Sequence, residues 1–181
     1  GGGVEVARAM AGLRIKLSMP KIIKVNLIGR LNAGVNTKDI ALELLKKYSV
    51  KGGVGKVFEY AGEGLKYLEI PQRATITNMG AEMGATASIF PTDEVTKEFF
   101  KAQNRLEDFT EFVADDGATY DDEITIDMSK LHPLVACPSQ PDNIVNVNDE
   151  KFKDLKVSSV FIGSCTNASY GDVKKAAEIL K

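Results

Sequence analysis

The sequence has one histidine, His132, two cysteines, Cys137 and Cys165, and no tryptophan. One imidazole and two thiols rule out a multi-histidine or four-cysteine metal site built from this chain alone. Two cysteines in 181 residues also argue against a disulfide scaffold and for a reducing compartment, so a cytoplasmic location is expected. Neither sign of charge dominates: 23 Lys and Arg face 25 Asp and Glu, a net of −2, and no block of five like charges occurs. No basic stripe is available to neutralise a phosphate backbone, so nucleic acid is not an expected partner. No apolar run approaches the roughly 20 residues of a membrane span, and no signal peptide is expected.

What is present is ordinary globular composition, 44% hydrophobic and 27% charged. The length suits one large or two small domains and can bury a core without staples. The first residue is Gly1, not Met, and Val4 to Met10 reads as a helix ending near Gly12. Asp172 to Lys181 reads as a helix with no stop signal. Both ends therefore read as parts of something larger.

Hydropathy period places the elements between. Ile23, Val25 and Leu27 alternate with Lys24 and Asn26, a strand preceded by Pro20, a plausible domain boundary. Asn36 or Thr37 can cap a helix with Asp39 in its first turn, Lys46 and Lys47 in its last, and Ile40, Leu44 and Tyr48 on one face. Gly52-Gly53-Val54-Gly55 makes a turn before a strand at Val57 to Ala61. Pro71 can open a helix continuing through Asn78, Ala81 and Glu82, with Gly80 and Gly84 implying close packing on a neighbour. Ser88 to Phe90 reads as extended, Thr92 as the cap of a helix carrying Val95, Phe99 and Phe100, and Leu106 to Val113 as helical. Asp115 to Asp122 is an acidic loop, Ile124, Ile126 and Met128 alternate as a strand, and Leu131 to Asn148, with Pro133, Pro138 and Pro141, reads as mostly irregular. Lys151 to Lys156 reads as a linker and Val157 to Ile162 as a last strand running into Gly163-Ser164-Cys165-Thr166-Asn167 and a helix. Strands alternating with helices indicate the α/β class.

The motifs carry chemistry unevenly. Lys51-Gly52-Gly53-Val54-Gly55-Lys56 suggests a phosphate loop, but Val50 stands where that pattern needs glycine and Val57 where it needs Ser or Thr. A glycine turn is the better reading. Asn78 and Glu82, four apart, would share a helix face among Met79, Ala81, Met83 and Ala85. An amide and a carboxylate side by side on a crowded helix look like site-lining groups, the plain alternative being a solvated polar patch. Cys165 would end a strand just before a helix, where open α/β sheets place ligands and a helix N-terminus favours a thiolate. Cys137, among prolines, reads as structural, and His132 before Pro133 as a hydrogen-bonded loop residue.

Thr77-Asn78-Met79-Gly80-Ala81-Glu82-Met83-Gly84-Ala85-Thr86 with Ser88-Ile89-Phe90-Pro91 resembles the helix-and-strand signature of the aconitase superfamily. Ile162-Gly163-Ser164-Cys165-Thr166-Asn167 resembles that family's first cluster-ligand motif. Lys51 to Gly55 before Phe58-Glu59-Tyr60, and Val135-Ala136-Cys137-Pro138 with Pro141-Asp142-Asn143, are similar too. The resemblance runs from Gly1 to Lys181 and looks closest to the shorter bacterial aconitate hydratases.

The resemblance implies an iron–sulfur hydro-lyase that removes and re-adds water on a hydroxy tri- or dicarboxylic acid. It implies a 4Fe-4S cluster on three cysteines with one iron left open as a Lewis acid. Cys165 would be the first cluster ligand and Asn78 and Glu82 pocket residues, while the other two cysteines, the substrate motif and the last domain's arginines and serine lie outside this chain. The implied fold is a three-layer α/β/α domain with a mixed, largely parallel sheet over residues 20–153. Residues 1–19 would be the tail of a preceding α/β domain and 154–181 the start of a third. The expected substrate is citrate or isocitrate through cis-aconitate, the alternatives being the isopropylmalate, homoaconitate or dimethylmalate dehydratase large subunits. The remaining domains of the parent are the expected partners, with no membrane, and the chain alone is expected to be inactive with no cluster bound. Two other readings stay open: Cys165 as a nucleophile with His132 as its base, and a non-catalytic α/β interaction module with a large apolar surface and no convergent polar pocket.

Overall fold

The computed structural model describes residues 2–15 and 18–181. Helix α1 (Gly3–Met10) is exposed throughout, and the chain turns away from it at Gly12, whose φ is +70°. Strand β1 (Lys21–Ile28) buries Ile23, Val25 and Leu27 on one face, as the alternation requires.

Helix α2 (Thr37–Tyr48) starts at Asn36, whose side chain accepts from Thr37 N while its own N–H donates to Asp39 Oδ2, both at 2.7 Å. Asp39 is buried because its second oxygen accepts from Leu134 N at 2.8 Å, which ties the helix start to a distant hairpin. Strand β2 (Lys56–Ala61) leads to α3 (Ile70–Met79), then β3 (Ala87–Ile89), α4 (Glu94–Ala102) and β4 (Asp122–Asp127). A hairpin, β5 (Leu134–Ala136) with β6 (Ile144–Asn146), and helix α5 (Tyr170–Ile179) complete the chain.

The sheet order is β3-β2-β1-β4 and every pair in it is parallel. The crossovers β1-α2-β2 and β2-α3-β3 step the same way, so α2 and α3 lie side by side on one face, over Val25, Phe58, Tyr60 and Ile126. The step from β3 back across to β4 reverses direction and brings the chain over the other face. There Tyr120 donates to Glu59 Oε1 at 2.7 Å and lies under Lys24 Nζ, 5.4 Å from the ring centre. That hydrogen bond to Glu59, before burial, pushes the Tyr120 hydroxyl up to about 12. The α/β class is as expected, a parallel sheet flanked by helices; the sheet is not mixed, and among the described residues antiparallel pairing occurs only in the separate hairpin. No helix among the described residues is long and apolar enough to cross a membrane.

Several elements differ from expectation. Leu106 to Val113 is not a helix beyond a 3-10 turn at Leu106–Asp108. Thr92 N donates to the Phe112 carbonyl at 2.9 Å and Phe112 N to Thr92 Oγ1 at 2.6 Å, which takes the groups a helix would use. With Thr92 so occupied, the α4 cap is Asp93, whose Oδ1 accepts from Thr96 N at 3.0 Å. Helix α3 stops at Met79, and residues 80–83 form a 3-10 turn closed by Gly84 at φ +71°. The prolines of 131–148 bracket the β5–β6 hairpin rather than abolish it. Residues 157–162 form no strand: they pair with nothing among the described residues, and Val160 and Phe161 stay 74% and 85% exposed. Ser169 caps α5, two residues ahead of the expected start.

Candidate functional site

Cys165 lies exposed in the tight turn that follows Ser164, whose φ is +74°. Ser164 Oγ donates to its Sγ at 3.7 Å. The turn is held by Asn167. With its amide oriented to satisfy both neighbours, Nδ2 donates to the Thr166 carbonyl at 2.9 Å and Oδ1 accepts from Lys38 Nζ at 3.1 Å. Asn167, Phe161 and Ile162 line a cavity of about 550 Å³ with Gly34 to Asn36, the residues leading from β1 into α2. The Cys165 turn therefore sits outside the carboxyl ends of the parallel strands, where open α/β sheets bind ligands. Contrary to expectation it ends no strand, because residues 157–162 join no sheet among the described residues. Nor is it at the tip of α5, whose first turn is closed by Ser169 and Asp172 bonding each other reciprocally.

Asn78 and Glu82 are both exposed, at the far end of α3. They do not share an α-helical face, because the helix ends between them. Each stands next to a buried methionine, Met79 and Met83, 7% and 1% exposed. Their turn packs against the start of β2, since Gly53 N donates to the Met83 carbonyl and Thr86 N to the Lys56 carbonyl, at 2.9 and 2.8 Å. That is the amino edge of the sheet, opposite the Cys165 turn. The structure places amide and carboxylate on either side of the end of α3 but does not bring Cys165 to them.

An iron–sulfur cluster needs several thiolates. Among the described residues no three His, Cys, Asp or Glu side chains converge to hold a metal ion. The chemistry of Cys165, an exposed thiol on a tight turn, fits one cluster ligand and no more. Cys137 is half-buried, its N–H bonded to the Asn143 carbonyl at 2.8 Å across the hairpin loop. His132 is exposed beside Lys130 in a separate cavity with Glu43 and Lys46, and no hydrogen bond joins it to Cys165, so the nucleophile–base pair is not assembled. Accessibility alone orders the two thiols. Alkylation of the folded chain followed by peptide mapping is expected to label Cys165 ahead of Cys137. Faster labelling of Cys137 would remove Cys165 as the available ligand.

Residues 1–154 match the Aconitase family (aconitate hydratase). The chain belongs to the aconitase family. It is 36% identical over 180 residues to a 3-isopropylmalate dehydratase large subunit of Campylobacter fetus, covering 99% of this chain and 43% of that protein. It is 40% identical over 163 residues to 3-isopropylmalate dehydratase large subunit 1 of Thermotoga maritima, covering 90% of this chain and 39% of that protein. The mitochondrial homocitrate dehydratase of Saccharomyces cerevisiae is 39% identical over 196 aligned positions, covering 99% of this chain and 25% of the yeast enzyme. The chain thus spans less than half the length of these aconitase-family relatives, all named as dehydratases.

Two features escaped the sequence reading. Arg73, 3% exposed, is one of the few buried charged residues, and nothing in Gln72-Arg73-Ala74 sets it apart from a surface arginine. The second is the packing of the Gly52-Gly53 turn against the Asn78–Glu82 turn. Its signal was available, since two glycine-rich runs that the chain must fold tightly invite the question of what each one touches.

Proposed function

We propose that this chain is part of a 4Fe-4S hydro-lyase that reversibly dehydrates a hydroxy tricarboxylic acid, citrate to isocitrate through cis-aconitate. The observation that carries the proposal is the exposed Cys165 thiol in the Gly-Ser-Cys-Thr-Asn turn outside the carboxyl ends of the strands, in a chain of the aconitase family. In this reading residues 20–153 are one α/β domain, 1–19 the tail of a preceding domain and 154–181 the start of the next. The cluster, when bound, supplies a Lewis acid for the departing hydroxyl.

The chain's own residues do the rest of its share. Cys165 gives one thiolate. Asn78 offers an amide that hydrogen-bonds near the cluster or the ligand, and Glu82 a carboxylate that orders the water around the metal. Residues 156–163 make no hydrogen bond among the described residues. We propose that in the full-length enzyme this segment carries Cys165 to the side of Asn78 and Glu82, where other domains complete the pocket. Glu82→Gln in the full-length enzyme is expected to lower turnover about 10- to 100-fold while leaving the melting temperature near that of the parent, because the exposed carboxylate supports no core contact. A loss of stability in step with turnover would make Glu82 a structural residue.

A second reading, a hydroxy dicarboxylic acid of the isopropylmalate type, is favoured by the alignments themselves. The match to the Campylobacter protein spans 180 residues, whereas the yeast enzyme needs 196 positions, so it carries insertions that this chain lacks. Comparing kcat/KM of the full-length enzyme on citrate, isocitrate and 3-isopropylmalate separates the two.

A further inference from the structure

The glycine turn before β2 and the turn that carries Asn78 and Glu82 are built into each other. Gly53 N donates to the Met83 carbonyl at 2.9 Å. A Cβ at Gly53 would stand 2.8 Å from that carbonyl oxygen and 2.9 Å from Ala85 N, so no other residue fits without moving the second turn. The closure works from the other side as well. Gly84 takes φ +71°, where a Cβ would meet Val54 Cγ2 at 3.0 Å and the Val50 carbonyl at 3.3 Å. At the start of the same turn, a Cβ on Gly80 would lie 2.5 Å from Ser88 Oγ of β3. Gly52 is pinned in turn, since a Cβ there would collide with the Tyr48 carbonyl at the end of α2.

The 80–85 turn closes on itself through Gly84 N to the Ala81 carbonyl at 2.9 Å and Ala85 N to the Gly80 carbonyl at 3.1 Å. Met79 and Met83 sink into the core while Asn78 and Glu82, one residue before each, project to solvent. The backbone that aims Glu82 is therefore held from below by methionine packing and from the side by the Gly53 amide.

From this we infer that Gly53 is a positioning residue: it fixes the turn that presents Glu82, and through it sets the geometry of the hydro-lyase pocket. The Gly52-Gly53-Val54-Gly55 run, which fails as a phosphate loop, is the buttress of a catalytic turn. The inference rests on the reading of Glu82 as a pocket residue. Misplacing a positioned group by about 1 Å costs on the order of a hundredfold in rate. Gly53→Ala must shift the turn by a few tenths of an ångström to that order, so a turnover loss of roughly tenfold or more is expected.

The test is a double-mutant cycle in the full-length enzyme with Gly53→Ala, Glu82→Gln and the pair. If Gly53 acts through Glu82, Gly53→Ala lowers kcat with KM little changed, and the double variant is no slower than Glu82→Gln alone. A double variant whose loss is the product of the two single losses overturns the inference, as does Gly53→Ala with undiminished kcat. Should Gly53→Ala fail to fold, Val54→Ala removes the side chain that faces Gly84 without a collision and is expected to show the same non-additivity with a smaller loss. Amide exchange on the 181-residue chain separates this inference from the site reading beneath it. Gly53→Ala or Val54→Ala should speed exchange at Gly84 and Ala85 while Val25 and Leu27 stay protected. Unchanged exchange at Gly84 and Ala85 overturns the interlock itself, whereas Glu82→Gln with full turnover overturns only the role given to Glu82.

Discussion

The 181-residue chain, reconstituted with iron and sulfide, is expected to hydrate cis-aconitate no faster than buffer. The only thiols are Cys137 in the hairpin loop and Cys165 in its exposed turn, and among the described residues no three metal-ligating side chains converge. A cluster held by one thiolate has neither the ligands to persist nor a fixed position for its open iron. Rate enhancement also needs binding energy realised in the transition state, and Asn78 and Glu82 sit here at the opposite edge of the sheet from Cys165. Aconitate absorbance followed in the presence of the reconstituted chain checks the expectation. Turnover well above buffer would mean that the site is complete within these residues, which would sink the proposal that other segments finish it.

Arg73→Ala is expected to cost about 3 kcal/mol of folding stability, the lower end of the scale for removing one partner of a buried ion pair, since Asp93 stays half-buried. Arg73 Nη1 and Nη2 meet Asp93 Oδ1 and Oδ2 at 3.0 and 2.6 Å, a bidentate pair at the cap of α4. Nη2 also donates to the Leu65 carbonyl at 2.9 Å and Nε to the Leu68 carbonyl at 3.1 Å, so one guanidinium joins α3, α4 and the turn after β2. Truncation takes the guanidinium donors from the Leu65 and Leu68 carbonyls and leaves the Asp93 carboxylate only its Thr96 contacts. At roughly 2–4 °C per kcal/mol for a chain of this size, the melting point should fall by about 10 °C.

Acid gives a second, independent readout of the same pair. Burial pushes the Asp93 carboxyl up, but the hydrogen bonds and charge of Arg73 together with the hydrogen bonds from Thr96 outweigh it and hold the group below its ordinary value. A carboxylate whose folded value is depressed stabilises the fold above its unfolded value, and the contribution is lost as pH falls through the folded one. The stability gap between parent and Arg73→Ala should therefore narrow as pH drops below about 4. A gap that stays constant from pH 7 to pH 3 in urea titrations would show that the Asp93 pair adds nothing and that Arg73 acts through packing and its two carbonyl hydrogen bonds.

The parallel core was legible from Ile23, Val25 and Leu27, from Ile40 and Leu44, and from Ile124 and Ile126, because burial on one face leaves a period in the chain. The Asn36 cap and the glycine break before β2 were legible for a similar reason, since each is settled within four residues. Family membership was legible in two short runs, Asn78 to Glu82 and Gly163 to Asn167. Where the chain was misread, a distant partner decided the outcome. Thr92 takes the backbone groups of Phe112 and so abolishes a helix that Leu106 to Val113 would otherwise favour. Val157 to Ile162 has the composition of a strand, but a strand exists only where another lends it hydrogen bonds, and none among the described residues does.

The candidate site divides along the same line. Sequence by itself determined the candidates for chemistry, the thiol of Cys165, the amide of Asn78 and the carboxylate of Glu82, because side-chain identity is local. Only the tertiary structure decided where they stand: α3 ending at Met79, Gly53 clamped on the Met83 carbonyl, Arg73 buried against Asp93, and the Cys165 turn at the opposite edge of the sheet. Periodicity records which face of an element is buried, but it holds no information on which turn meets which, since those contacts join residues far apart in the chain, as Gly53 with Met83, Arg73 with Asp93 and Lys38 with Asn167.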